Sequence, residues 1–441
     1  MRHNASVPSN RNDRDELILA GKQHLFPAVF HFFDRPLVIE RAKDQYVWDS
    51  DGKQYLDFFG GIVTISVGHL NDRVNAAIHQ QVDRLQHVST LFPTRPQINL
   101  AAKLAKISPA GKLTKSFFTN SGSEANETAI QLARCYTGNT EIVALRHSYH
   151  GRTSGGRALT GQSVWRGPGP PDAGVVHAHN AYCYRCPFGK TYPSCDVACA
   201  TDVKELIETS TSGSVAGFIA EPIQGIGGFI TPPKEYFKIV TDIVREHGGI
   251  FICDEVQAAC GRTGRWFGIE NYDVVPDVVT LAKGLGNGLP IGATLARPEV
   301  ADSMRFLTLS TFGGNPVTTA AAAAVVDFIA EQDLLTNSAC AGAYLANQLA
   351  ELQAEFPVIG DVRGVGLMQA LELVCDRTTK EPATRQTDRL MEESRERGLL
   401  VGKGGLYGNV IRISPPLNIS TADVDAFIAA FRPALCALPA C

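Results

Sequence analysis

Three short apolar runs, each ending in a charged residue, set the tightest limit on what this chain can fold into. VAGFIAEPI reaches Glu221, GGIFICDEVQ reaches Asp254 and DVVTLAKG reaches Lys283. None of them alternates apolar with polar residues, so each reads as a strand covered on both faces of a parallel sheet. Between the first two lies PKEYFKIVTDIVREHGG, where Phe237, Val240, Ile243 and Val244 share one helical face. Pro232 and Pro233 suit the start of that helix, and Gly248 with Gly249 its stop. Strand, helix and strand repeating about every 30 residues is the βαβ unit of a doubly wound α/β fold. In such sheets functional groups gather at the carboxyl ends of the strands. One charge there is most simply a solvated loop residue. Three at successive strand ends are a constellation.

The rest of the chain frames this sheet. With 441 residues there is material for more than one core. A net charge of −4 supplies no basic field for nucleic acid or anionic membrane. No apolar run approaches the roughly 20 residues that span a bilayer. The N-terminal MRHNASVPSNRNDRDELILAG has no apolar core of a secretory signal, and its first dozen residues read as a frayed tail. A reducing compartment follows as the expectation, the cytoplasm being the simplest, with the eleven cysteines mostly thiols. QYVWDSDGKQYLDFFGG (45–61) reads as a hairpin turning at Asp51-Gly52. VTTAAAAAVVDFIAEQDLL (317–335) is a strong helix former that carries the chain out of the sheet. The C-terminal third alternates helices with short strands. The expected division is 1–60 as the N-terminal segment of a small α+β domain, 61–318 as the large domain, and 319–441 as the rest of the small one.

Lys283 is the chemical centre of this pattern. It follows a buried strand and precedes Gly284, Gly286 and Gly288, which let a bulky group approach the backbone. A desolvated lysine has a lowered pKa and forms a Schiff base with a carbonyl such as that of pyridoxal phosphate. That cofactor needs a carboxylate at its pyridine nitrogen, and Asp254 fits. It needs a phosphate cradle, and Ser121, Gly122 and Ser123 lie between a strand (116–119) and a helix whose N-terminus is an anion site. It needs a flat side chain over its ring, for which Tyr149 and His150 are the candidates. Gln257 is placed to meet the ring hydroxyl, and Glu221 joins the set from its strand end.

NSGSEAN, YHGRT, AEPIQG, CDEVQ, TLAKGLGNG, STFGGNP and RISPP stand in this order along the chain. Together they resemble the class III pyridoxal-phosphate aminotransferases of fold type I, from about residue 25 to the C-terminus. The resemblance implies Lys283 as the Schiff-base lysine, Asp254 on the pyridinium nitrogen, Gln257 by the ring hydroxyl, Tyr149 stacked on the ring, and Gly122 with Ser123 at the phosphate. It implies that Thr311 reaches the phosphate of a neighbouring subunit, so that the enzyme is a homodimer or a dimer of dimers with shared active sites. It also implies carboxylate grips at Arg152 and Arg412, whose forks match a carboxylate bidentately.

Two departures bear on substrate. Ornithine and 4-aminobutyrate aminotransferases carry a glutamate where EPIQGIGG has Ile226. Isoleucine cannot pair with Arg412, so the switch those enzymes use is not expected. The alanine–glyoxylate branch lacks this glutamate too, and that likeness implies a small amino acid or amine as donor and pyruvate or glyoxylate as acceptor. GHLND (68–72) stands where relatives often show Gly-His-x-His-Pro. A lyase eliminating ammonia and phosphate on the same scaffold is the nearest rival. CYRCPFGKTYPSCDVAC (183–199) is read as an insertion in the large domain. Its C-x2-C-x8-C-x3-C spacing leaves three readings open: a thiol-rich structural loop, a zinc site, or disulfides.

Overall fold

The computed structural model describes residues 11–168 and 173–441. Its centre is a seven-stranded sheet built from β1 (Lys115–Thr119), β2 (Ile142–Leu145), β3 (Val175–Ala178), β4 (Gly217–Ala220), β5 (Ile250–Asp254), β6 (Val278–Leu281) and β7 (Gly292–Ala296). The strands lie in the order β1-β7-β6-β5-β4-β2-β3. β7 runs antiparallel to both β1 and β6, and every other pairing is parallel. All residues of β4, β5 and β6 are buried, as continuous apolar runs covered on both faces require. Because β4, β5 and β6 are adjacent and parallel, Glu221, Asp254 and Lys283 leave the same edge side by side. Register tightens this: Ala220 pairs with Cys253, and Asp254 with Thr280.

The helix Tyr236–Glu246 crosses from β4 to β5 with Phe237, Val240 and Val244 buried. Its Phe237 ring lies 5.7 Å from that of Phe251, which lies 5.5 Å from Phe218, so one aromatic stack ties helix to both strands. The helix Gly122–Thr137 follows β1 and buries Ala129, Leu132 and Ala133. Tyr136, on the same helix, is exposed. It stands in the last turn, beyond the sheet.

Two further sheets flank this body. The hairpin Tyr46–Asp49 and Gln54–Asp57 turns through Gly52 at φ +80°, whose amide donates to the Asp49 carbonyl at 2.9 Å. Leu399–Leu400 adds in parallel to Gln54–Asp57, joining the two ends of the chain in one sheet. The other sheet pairs Ile359–Val365, Met368–Asp376 and Val410–Ile413 antiparallel.

Two expectations need revision, and the expectation of mostly free thiols holds with one exception. The helix expected over 317–335 is two helices, Pro316–Glu331 and Leu334–Glu355, broken at Asp333 with φ +48°. A short polar side chain tolerates that left-handed break, and the alanine run conceals it. The frayed tail expected over the first dozen residues lies outside the described residues up to position 10, and Arg11 already opens the helix Arg11–His24. Nine of the eleven cysteines are free thiols, but Cys375 and Cys441 form a disulfide. In GHLND, Asn71 caps the helix Asp72–Val82 and His69 bonds Asp57 at 2.9 Å, so this departure serves local structure. Among the described residues no helix is long and apolar enough to cross a membrane.

Candidate active site

A cavity of about 470 Å³ opens at the carboxyl edge of β4, β5 and β6. That volume suits a cofactor-sized ligand. Ser121, Gly122, Ser123, Tyr149, His150, Glu221, Asp254, Gln257 and Lys283 all border it. Strand ends 33 and 29 residues apart in sequence, and a helix start a hundred residues earlier, thus meet at one opening.

Asp254 is buried, and its ionised form is heavily supported. Its Oδ2 accepts from Asn126 Nδ2 at 2.8 Å and bonds His150 Nδ1 at 2.7 Å, while Oδ1 accepts from the Val256 amide at 3.1 Å. Burial pushes the carboxyl up. The His150 hydrogen bond and charge, with Asn126 and the Val256 amide, outweigh that and hold it below the usual carboxylate range. Asn126 is itself fixed, accepting from Thr280 Oγ1 at 2.7 Å and donating to the His150 carbonyl at 2.9 Å. Glu221 differs. Its oxygens accept from the Tyr149 and Gly225 amides at 3.0 and 2.8 Å, yet burial, reinforced by Asp254, pushes it up to about 7.

Lys283 sits at φ +43°, a left-handed conformation uncommon for a lysine, in the short turn Lys283–Leu285. Burial lowers its pKa; Asp254 and Glu221 push the other way, and Arg412 adds to the lowering. Arg412 is 2% exposed. Its Nε donates to the Lys403 carbonyl at 3.2 Å and its guanidinium faces the Phe59 ring at 5.0 Å. Among the described residues no carboxylate pairs with it within 4.0 Å. It lies behind Gly225 and Ile226 rather than on the cavity wall, with Nη1 3.4 Å from the Gly225 carbonyl. Arg152 and Thr311 are not brought into the cavity. Arg152 is exposed and meets the site only through its amide, which donates to Ser123 Oγ at 3.2 Å. Thr311 is also exposed, beside Leu309 and Phe312.

Comparison with known proteins agrees with this geometry. Residues 32–435 match the family model described as aminotransferase class-III. The chain belongs to the class III aminotransferase family. It is 42% identical over 417 residues to alanine–glyoxylate aminotransferase 2 homolog 2, mitochondrial, of Arabidopsis thaliana, covering 94% of this chain and 86% of that one. It is 41% identical over 417 residues to a leucine/methionine racemase of Thermococcus litoralis, covering 93% of each. Among solved structures, an amine transaminase from an uncultivated Pseudomonas species in its PLP-bound form superposes with a TM-score of 0.89 at 34% identity, covering 94% of this chain and 98% of that one.

As a class III aminotransferase of fold type I, the chain is a pyridoxal-phosphate-dependent enzyme. Its residues fit that group. Gln257 Oε1 and His150 Nε2 are buried without hydrogen-bond partners among the described residues, an arrangement that costs free energy unless a ligand or water meets them. At the cradle, a Cβ on Gly122 would come within 3.0 Å of the Val256 side chain, so the helix start is packed tightly against the wall of the cavity. The Ser121 side chain caps the helix by accepting from the Glu124 amide at 3.2 Å. His150 is held edge-on against Asp254, which leaves Tyr149 as the aromatic candidate for the ring face; its own ring meets Trp165 edge-on at 5.8 Å. Asn126 and Thr280 escaped the sequence reading. Their one signal was an asparagine amid the apolar face of a helix, where its propensity is poor.

Proposed function

We propose that this aminotransferase moves an amino group from a small amino acid or amine to an oxo acid with a single carboxylate, pyruvate or glyoxylate. The observation that carries the reading is Arg412, buried, close to the cavity and without a carboxylate partner among the described residues. A substrate carboxylate completes it. Among the described residues Lys283 is the one lysine or arginine on the cavity wall, and Ile226 occupies the wall where an acidic residue would compete for Arg412. A second carboxylate on the substrate therefore finds no arginine in the cavity among the described residues, Arg152 being exposed and outside it.

When bound, pyridoxal phosphate supplies a carbonyl for the substrate amine and a protonated ring that withdraws electrons from the α-carbon. Asp254, kept anionic by its three donors, holds that ring nitrogen's proton. Gln257 meets the ring hydroxyl, Tyr149 covers the ring, and Ser121, Gly122 and Ser123 take the phosphate. Lys283, with its amine favoured in the neutral form by burial, would take the proton from the substrate α-carbon and deliver it to the cofactor carbon that had carried the carbonyl. Glu221, with a pKa near neutrality, sits where it can adjust the charge between Lys283 and Arg412.

Exposed Leu91, Phe92, Leu307, Leu309 and Phe312 gather around Thr311, and Thr90 Oγ1 lies 3.4 Å from the Ser310 carbonyl. This apolar surface supports a homodimer in which Thr311 serves the partner's phosphate site. Nine free thiols support a reducing compartment such as the cytoplasm.

The test is a half-reaction on holoenzyme with alanine and no oxo acid. The expected result is a shift of the cofactor's visible absorbance with one pyruvate formed per site and no ammonia. Glyoxylate or pyruvate then restores the starting spectrum faster than 2-oxoglutarate. Ammonia release without an oxo acid, or a preference for 2-oxoglutarate, overturns the reading. Lys283→Ala is expected to abolish turnover while the protein still folds.

A further inference from the structure

The cluster of nucleophilic side chains that the transamination chemistry leaves unused is the loop 183–199. Cys183 opens the short turn Cys183–Arg185, Cys186 closes it, Cys195 lies in the following loop, and Cys199 is in the first turn of the helix Ala198–Ser210. All four are free thiols, and all four border one small cavity of about 20 Å³. That is room for one water-sized body. The rest of its lining mixes Phe188, Val197 and Pro233 with the polar Asn180, Lys190 and Tyr192. Asp196 and Val197 both take left-handed backbone, at φ +49° and +50°. For a β-branched valine this is a true outlier, and it is what turns the chain so that Cys195 and Cys199 reach the same cavity.

We propose that Cys183, Cys186, Cys195 and Cys199 form a structural site for one zinc ion. Four thiolates are the donor set of closed tetrahedral zinc sites, and paired short spacings are their usual arrangement. The cavity is sized for a single ion rather than for an iron–sulfur cluster, whose sulfides need more room. Among the described residues no three histidine, cysteine, aspartate or glutamate side chains are yet arranged to hold a metal. The support for the site is the donor set itself: among the described residues four cysteine thiols, and no competing carboxylate or imidazole, border that one cavity.

The ion would brace more than its own loop. Tyr182 OH donates to Glu372, and Arg185 Nε donates to the same carboxylate at 2.5 Å. Lys380 donates to the Tyr184 carbonyl at 2.6 Å. Arg363 bonds Glu372 at 2.8 Å and the Gly228 carbonyl at 2.9 Å, two residues beyond Ile226 of the cofactor cavity. The site thus anchors the strand Met368–Asp376 to the wall of the active site.

The experiment is elemental analysis of holoenzyme purified without chelators or metal-affinity resin. The expected zinc-to-protein ratio is about one, falling close to zero in Cys195→Ser/Cys199→Ser while the cofactor absorbance persists. Should that variant fail to fold, wild-type enzyme stripped with a chelator serves instead: added zinc should protect four thiols from alkylation. A zinc ratio near zero in wild type after reconstitution, iron with cluster absorbance, unchanged zinc in the double variant, or no thiol protection each overturns the proposal.

Discussion

His150→Phe separates a residue that tunes the cofactor's counter-charge from one that merely fills space. The ring it replaces is fully buried, with Nδ1 2.7 Å from Asp254 Oδ2 and Nε2 without a partner among the described residues. Phenylalanine keeps the flat bulk and removes the donor. Asp254 then keeps Asn126 and the Val256 amide but loses the strongest of the groups that hold it ionised against burial. A hydrogen bond to a charged group contributes about 1.5–3 kcal/mol. At 1.36 kcal/mol per decade, kcat/KM should fall roughly 10- to 150-fold. The acid limb of its pH profile should also move to higher pH, because Asp254 is then protonated more easily. The folding side has a definite sign. A carboxylate whose pKa is depressed in the native state adds stability above its unfolded value, and loses it as pH falls through the native one. The variant's deficit in Tm should therefore be full at neutral pH and shrink in acid. A matched fall in kcat/KM with the acid limb unmoved would mean that His150 acts through packing alone, and the electrostatic argument would fail.

Three other perturbations probe the cradle, the carboxylate grip and the brace. Gly122→Ala places a Cβ 3.0 Å from Val256, and overpacking of about 1–3 kcal/mol should weaken cofactor binding roughly tenfold or more, read by titrating apoenzyme with pyridoxal phosphate. Arg412→Gln should lower kcat/KM for alanine roughly 10- to 100-fold while leaving an amine without a carboxylate nearly unaffected; equal loss on both would place Arg412 outside substrate recognition. Glu372→Gln removes the carboxylate shared by Tyr182, Arg185 and Arg363 and should cost about 3–5 kcal/mol, seen as a lower denaturation midpoint. Burial raises Glu372, but Arg363, Tyr182 and Arg185 together hold it low, so the wild-type advantage should fade as pH drops through that depressed range.

What was legible in advance follows from how locally each feature is encoded. The runs ending at Glu221, Asp254 and Lys283 declare buried parallel strands by composition alone, and parallel neighbours necessarily present their carboxyl ends together. Ser121 capping the helix Gly122–Thr137 is equally local. The network behind Asp254 is not. Asn126 and Thr280 matter because β6 pairs with β5 in one register, and register is a long-range outcome that no single segment states. The helix break at Asp333 escaped for the opposite reason: alanine propensity is strong locally, and the tertiary turn that overrides it leaves only a short polar residue as a trace.

The substrate end of the site shows where motif reading reaches its limit. Arg152 and Arg412 look equivalent as sequence, an arginine beside a cofactor motif. In space they are opposites: one is on the rim, bonded through its amide, and the other is sealed beside Phe59 and Phe229 with its pKa lowered to about 10 by burial. Burying a guanidinium without an anion is costly, and Glu221 offsets that only in part from a carboxyl that is itself pushed up to about 7. On the proposed reading, an incoming carboxylate would supply the anion this buried guanidinium lacks. Carboxylate binding at Arg412 should in turn draw Glu221 toward its protonated form, since the anion replaces it as the nearest counter-charge. A dicarboxylate would need a second such arginine, and among the described residues no arginine borders the cavity.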